Sequence, residues 1–345
     1  MDWERRKRPA ASILDTAGLT PLVRLGRTVA EVQASVFVKL EYFGPSGSVK
    51  DRILPAIVEE AERRGDLRPG MILIEGTTGN TGIATAMVGA AKGYRVIIVM
   101  PEGMSVERRQ VIEAYGAELV LTPGSESDVD LVLEKVRELR ARWGSQIWEV
   151  GQFANPDNVR AHRRSTGPEI WEQTEGRVDA FVAAPGTGGT LTGVSAYLKE
   201  QRPEVLSFAV EPAECAILAG RGWGSHRIEG IGDGFIPDVL DLRWIDGVVT
   251  VSSEEAIAMA QRLAREEGIF CGISSGCNVA ACVKVARRYP ALRTIVSTIN
   301  DNGLRYLSTE LGGASPSHGA SATPARGIRP EDARRLAGKH LVVID

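Results

Sequence analysis

Cysteine, histidine and aromatic residues are all scarce in this chain, and each scarcity closes off a class of function. The 345 residues include four cysteines and four histidines. Cys215, Cys271, Cys277 and Cys282 form no Cys-x-x-Cys pair and have no histidine near them. That argues against a zinc ribbon or a disulfide framework and predicts reduced, mostly buried thiols and no metal site. No apolar run reaches the ~20 residues that a membrane-spanning helix requires. Residues 1–9 are charged and lack the apolar centre of a secretory signal, so a cytoplasmic setting away from membranes is expected. Neither sign of charge dominates: 41 basic residues face 44 acidic ones, for a formal charge of −3. Without a basic block interleaved with aromatics, nucleic acid is not an expected partner. No repeat with a period of 20–50 residues is present.

What the chain does have is alternation. Apolar runs at 71–75, 95–100 and 118–122 each precede a helix-like stretch, at 81–92, 105–115 and 128–143. Short apolar strands followed by helices predict a parallel sheet whose binding loops gather at the carboxyl ends of the strands. Strand-like runs at 178–184, 206–211, 248–251 and 294–299 predict a second sheet. Ser252 and Glu255 have the spacing of a capping box before an apolar helix stripe. Residues 313–325 are rich in Gly, Ala, Ser and Pro and read as a linker; 329–339 read as a short helix and 340–345 as an extended end. That end is expected to dock as a strand on the body or on a partner subunit, with a gate over the active site as the alternative.

Four small-residue loops carry the chemistry. Pro45-Ser46-Gly47-Ser48-Val49-Lys50-Asp51-Arg52 places one lysine at the mouth of a helix capped by Ser48. Burial lowers a lysine pKa, and a neutral amine attacks an aldehyde to form an imine; an ordinary exposed first-turn lysine is the other reading. The remaining loops are Thr77-Thr78-Gly79-Asn80-Thr81-Gly82, Gly186-Thr187-Gly188-Gly189-Thr190 and Gly272-Ile273-Ser274-Ser275-Gly276. Glycines in the second let backbone N–H groups converge on a phosphate, with the Thr187 and Thr190 hydroxyls and a helix dipole adding to them. A dinucleotide loop fits less well, because Gly186-x-Gly188-x-x-Leu191 lacks the third glycine.

In this order, across roughly residues 12–311, these motifs resemble the fold type II family of pyridoxal phosphate enzymes, in its cysteine synthase and cystathionine β-synthase branch. The resemblance implies an α/β fold like the tryptophan synthase β-subunit, with two three-layer α/β/α domains and mainly parallel sheets. It puts a smaller domain at 45–153, a larger one at 10–44 plus 154–312, and a linker and tail at 313–345. Pyridoxal 5′-phosphate is the implied cofactor, joined covalently to Lys50, which then also moves protons at the substrate's α-carbon. Asn80 would meet the cofactor's ring oxygen, Gly186, Thr187, Gly188, Gly189 and Thr190 its phosphate, and Ser274 its ring nitrogen. Read from the residues alone, Asn80 and Ser275 are helix N-caps. Thr77, Thr78, Gly79 and Thr81 would take the substrate carboxylate at a helix N-terminus, completed by Gln152. Gly230 belongs to a loop, 230–237, that closes over the site.

A neutral serine at the ring nitrogen weakens the electron sink and favours loss of a β-substituent. The implied reaction is β-replacement on an O-activated serine through an aminoacrylate: O-acetylserine plus sulfide giving cysteine and acetate. Serine plus homocysteine, and serine or threonine dehydration, are the alternatives, with a catalytically silent relative as the non-enzymatic one. The family implies a homodimer and a possible serine acetyltransferase partner. Asp233, Glu229 and the segment Asp301-Asn302-Gly303-Leu304-Arg305-Tyr306 depart from the cysteine synthase pattern. Two carboxylates, Asp233 and Glu229, near the mouth would repel a phosphate leaving group, which favours a neutral donor. A solvated turn residue is the plainer reading of Asp233.

Overall fold

The computed structural model describes residues 1–124, 129–312 and 341–345. The chain opens with β1 (Leu22–Arg24), β2 (Ser35–Leu40) and α1 (Ile53–Arg64). A first α/β run follows: β3 (Ile72–Gly76), α2 (Asn80–Lys92), β4 (Arg95–Pro101), α3 (Val106–Ala114), β5 (Glu118–Thr122), α4 (Val129–Trp143) and β6 (Ile147–Glu149). After α5 (Pro156–Arg164) and α6 (Thr166–Gln173) come β7 (Ala180–Ala183), α7 (Gly189–Gln201), β8 (Leu206–Pro212) and β9 (Gly247–Val251). Then α8 (Ser253–Arg262), α9 (Ile273–Arg288), β10 (Thr294–Ile299) and β11 (Val342–Ile344) complete it.

The strands form two sheets, in the orders β5-β4-β3-β6 and β1-β2-β10-β7-β8-β9-β11. All pairings are parallel except β1 with β2. Parallel strands covered on both faces must be apolar throughout. Accordingly Leu73, Ile74, Ile98 and Val99 in one sheet, and Phe181, Val182, Ala209 and Val249 in the other, are buried almost completely. The loops after β3, β7 and β10 leave the carboxyl ends of their strands, where the crevice of such a fold lies.

The second α/β run agrees closely with the sequence reading, and the Ser252–Glu255 capping box is present. Several elements carried no such reading, β2 and α6 among them. β1 and β6 have three residues each, too few for periodicity to register. α5 is so polar that only its Asn155-Pro156 start marks it, with the Asn155 side chain accepting from the Asp157 N–H at 3.0 Å. At the far end β11 pairs with β9, and Thr250 Oγ1 donates to Asp345 at 2.8 Å. The helix expected at 329–339 lies outside the described residues.

Beneath the first site loop sits a buried ionic cluster. Arg52 reaches Glu169 through both terminal nitrogens at 2.7 Å and Glu41 through Nη2 at 2.9 Å. Lys39 pairs with Glu169 at 2.7 Å, and the Leu19 N–H donates to it at 2.8 Å. Burial pushes the Glu169 carboxyl up, but the hydrogen bonds and charges of Arg52 and Lys39 outweigh it and bring it down to about 2. A depressed carboxyl stabilises the fold above its unfolded value near 4.5, and that contribution is lost as pH falls toward 2. Removing one partner of a buried pair strands the others, so Glu169→Ala is expected to cost ~3–5 kcal/mol in urea unfolding at pH 7. Glu169→Gln is expected to flatten the wild-type loss of stability between pH 4.5 and 2, measured the same way.

Candidate active site

One cleft brings the separate loops together. Lys50, residues 77–81, Gln152, residues 186–188, Thr190, Gly230 and Ser274 all line it, as do Arg108, Glu229, Asp233, Asn300 and Tyr306. Gly189 does not line it. It packs behind, where an added Cβ would lie 2.0 Å from Asn158 Oδ1.

Lys50 stands on a short 3-10 turn, Val49–Arg52, that runs into α1. Ser48 caps this turn, with its hydroxyl accepting from the Lys50 N–H at 3.3 Å, while Asp51 accepts from the Ser46, Gly47 and Ser48 N–H groups. Burial lowers the Lys50 pKa, and the charges of Asp233, Asp301 and Glu75 oppose that shift. The cleft therefore holds an amine biased toward its nucleophilic neutral form. Glu75 is the one acid in an otherwise apolar strand; burial pushes it up to about 8, against hydrogen bonds from the Gly151 and Gln152 N–H groups. Asp233 lines the cleft wall and is half-buried. Burial raises it to about 6, and Lys50 pulls it back.

The glycine-threonine loop meets α7 with Gly188 at φ +87, a left-handed conformation in which any Cβ would also strike Leu240. An alanine at 186 would put Cβ 2.3 Å from the Gly230 carbonyl oxygen, so this loop and the Gly230 loop are in backbone contact. Thr187 Oγ1 accepts from Asn158 Nδ2 at 2.9 Å and from the Gly189 N–H at 3.4 Å, which leaves its own proton for another acceptor. Thr190 Oγ1 contacts His162 Nε2 at 3.1 Å, and His162 Nδ1 contacts Thr166 Oγ1 at 2.8 Å. Burial holds His162 well below its usual pKa, so this is a neutral imidazole. First-turn N–H groups of a helix have no partner within it, and with two hydroxyls they make an uncharged cradle for a dianion. Neither Asn158 nor His162 stood out in the sequence; a polar side chain on a polar helix gives no signal.

At the opposite wall, Thr81 Oγ1 donates to Gln152 Oε1 at 2.5 Å, so the threonine loop and the glutamine are joined directly. Asn80 is not the cap of α2. Gly79 holds that position, and the Asn80 side chain donates to Asp301 Oδ2 at 2.7 Å and accepts from Arg305. Ser275 is not a cap either, since α9 begins behind Gly272 and the Ser275 hydroxyl accepts from the Asn300 N–H at 2.9 Å. Ser274 Oγ accepts from Asn300 Nδ2 at 3.2 Å, again with its proton unspent. Glu229 is not an unpaired acid at the mouth. It is ion-paired with Arg108, whose guanidinium lies 4.5 Å from the centre of the Tyr306 ring. The expected repulsion of a phosphate leaving group therefore rests on Asp233 alone.

A cleft with one reactive amine on a rigid turn, an uncharged dianion cradle and a hydroxyl at a helix N-terminus defines an enzyme built around an aldehyde-bearing phosphorylated cofactor. The residues present fit such a group: the cradle excludes side chains at 186 and 188, and the Thr187 and Ser274 protons are both available. A family profile described as pyridoxal-phosphate dependent enzyme matches residues 13–301, and the chain belongs to that family. It is 46% identical over 306 residues to a cysteine synthase of Staphylococcus aureus, covering 88% of this chain and 98% of the relative. It also resembles the crystal structure of an Entamoeba histolytica cysteine synthase, with a TM-score of 0.86, 40% identity and 97% of each chain covered. An O-ureido-L-serine synthase structure matches at a TM-score of 0.84 and 45% identity, over 90% of this chain and 98% of that one.

Gly186→Ala tests the cradle, because the atom it would meet is a backbone oxygen that has no rotamer by which to yield. The variant is expected to keep its far-ultraviolet circular dichroism and to bind pyridoxal phosphate at least ~10-fold more weakly in a cofactor titration, the effect of losing one charge-assisted hydrogen bond.

Proposed function

We propose that this chain is a pyridoxal phosphate-dependent cysteine synthase that replaces the acetyl group of O-acetylserine with sulfide. The observation that carries the reading is the Lys50 amine, depressed by burial and set on a rigid turn in a cleft whose opposite walls suit a phosphate and an amino-acid carboxylate. When bound, the cofactor supplies an aldehyde carbon for exchange between amines and a conjugated ring that accepts electron density from the substrate α-carbon.

The protein's own residues do the rest. Lys50 would hold the cofactor by its side-chain nitrogen and, as a neutral amine, would move the proton at the substrate α-carbon. Residues 77–81, at the N-terminus of α2, orient the substrate through its carboxylate, with Gln152 fixed against Thr81. Ser274 would meet the ring nitrogen with a neutral hydroxyl, and Asn80 would meet the ring oxygen. Gly186, Thr187, Gly188 and Thr190 would hold the phosphate, with Gly189 packed behind them. Gly230, in backbone contact with Gly186, couples the closing loop to that cradle. Asp233, close enough to Lys50 to feel its charge, disfavours anionic donors.

The same proposal includes a smaller lobe at 45–153 against a larger one at 10–44 plus 154–312; every strand of the four-stranded sheet lies in the first span. It extends to a homodimer, a serine acetyltransferase partner and a cytoplasmic setting on family resemblance. No helix among the described residues is long and apolar enough to cross a membrane.

The Arg108–Glu229 pair favours a second reading. Its cationic and anionic poles line the cleft and match the carboxylate and ammonium of an amino-acid thiol, as in condensation of serine with homocysteine. Offering O-acetylserine or serine with sulfide, homocysteine or buffer alone, and identifying products by mass, separates the readings. Cysteine and acetate are expected from the first pair, and none of either from Lys50→Ala, which also loses visible absorbance. Keto acid as the sole product would overturn both readings. Because Asp233 ionises near pH 6, Asp233→Ala is expected to remove an inflection near that pH from the kcat/KM profile and to relax discrimination against O-phosphoserine by ~10-fold. An unchanged profile and preference would remove Asp233 from the account.

A further inference from the structure

Resting on the proposed reading of Asn80, we infer that Asp301 is a positioning residue that fixes which end of the Asn80 amide faces the cofactor. An asparagine side chain is nearly symmetric in shape, and its carbonyl and amino ends differ only in whether they accept or donate. At this site both ends are read by groups that cannot exchange roles. A carboxylate away from acid pH only accepts, and Asp301 Oδ2 lies 2.7 Å from Asn80 Nδ2. A guanidinium only donates, and Arg305 Nη1 donates to Asn80 Oδ1. Flipping the amide would set carbonyl against carboxylate and amino against guanidinium at once. One orientation is therefore enforced, and in it the amino group has used one of its two N–H bonds on Asp301.

The device is built into the frame and not into the mobile end of a side chain. Asp301 is fully buried at the carboxyl end of β10, and its backbone bridges to Ser48, beside the turn that carries Lys50. Tyr306 donates to the same Oδ2 at 2.7 Å, so the oxygen that orients Asn80 is itself held from a second direction. Arg305 is anchored in turn by donating to the Ser46 carbonyl. Asp301 Oδ1 is buried against Gly272 and has no hydrogen-bond partner among the described residues. Leaving one carboxylate oxygen unsatisfied is unfavourable, and neither packing nor stability explains an acid here as well as the orientation of Asn80 does.

The sign of one measurement separates this role from plain electrostatics. A donor to the cofactor's ring oxygen favours its ionised form, so losing that donor raises the pH at which the visible absorption of the loaded protein changes. Losing a nearby negative charge lowers that pH. Asn80→Ala is expected to raise the transition by about one unit, the size of a hydrogen bond to a charged group, and Asp301→Ala to raise it similarly. In the double variant the two shifts should not add, because both act through the same Asn80 N–H. Asp301→Asn keeps an acceptor oxygen while dropping the charge, and is expected to titrate within a few tenths of a unit of wild type. A downward shift in Asp301→Ala, or one of about a unit in Asp301→Asn should the alanine variant not fold, overturns the inference and leaves the Asn80 reading intact. So does full additivity with Asn80→Ala. If Asn80→Ala itself leaves the transition unmoved, the reading of Asn80 falls, and this inference with it.

Discussion

The neutralisation of Arg52 inside the protein is the constraint on which the site depends. This residue follows Lys50 by two positions, and its guanidinium has nowhere to go but inward, where an unpaired charge would be untenable. Glu41 comes from the short turn after β2 and Glu169 from α6, so the two carboxylates that satisfy it belong to different parts of the larger sheet's surroundings. Lys39 brings the count to two cations against two anions, and a balanced, fully hydrogen-bonded group of this kind survives burial where a single pair would not. The result is that the backbone under Lys50 is pinned to elements distant in sequence. The lysine is left as a flexible arm on a fixed base, the arrangement that its proposed roles of holding a cofactor and moving a proton require.

A second layer of the same logic operates on the walls. Thr187, Ser274 and Asn80 are each turned toward the cleft by a partner that takes up their other hydrogen-bonding capacity: Asn158 for Thr187, Asn300 for Ser274, Asp301 and Arg305 for Asn80. In every case the supporting residue lies outside the loop motif. Asn158 stands on α5 and Asn300 follows β10, so the large sheet and its helices aim groups that the loops merely carry. Preorganisation of this type places donors before a ligand arrives, and so spares the site that reorganisation at the moment of reaction.

This division explains what was legible in the sequence. The loops announce themselves because glycine, threonine and serine clusters between apolar runs have few structural uses, and Lys50 stands alone among them. Parallel strands such as β4, apolar from Val96 to Pro101, are equally plain. The supporting residues leave no such mark: His162 and Asn158 sit on a helix dense in arginine, and their importance arises only when α5 is laid beside α7. Caps misled for a related reason. Asparagine at 80 and serine at 275 have the composition of N-caps, yet glycine holds both caps, at 79 and 272, and the two side chains are engaged by Asp301 and Asn300 instead. Glu229 read as a repelling charge because a linear sequence does not show that Arg108, 121 positions away, closes on it.

Asp233 and Asp301 show why two acids near one lysine need not do the same thing. Both bear on the Lys50 charge, but Asp301 is fully buried and its Oδ2 receives donors from Asn80 and Tyr306, whereas Asp233 lines the cleft with burial as the main influence on its carboxyl. An acid held from two directions cannot turn toward a substrate; it sets the geometry of its neighbours. An acid on the cleft wall whose carboxyl is raised by burial is free to respond to whatever enters. The frame, and the selectivity proposed for the cleft, thus fall to chemically identical groups distinguished by how many donors each receives.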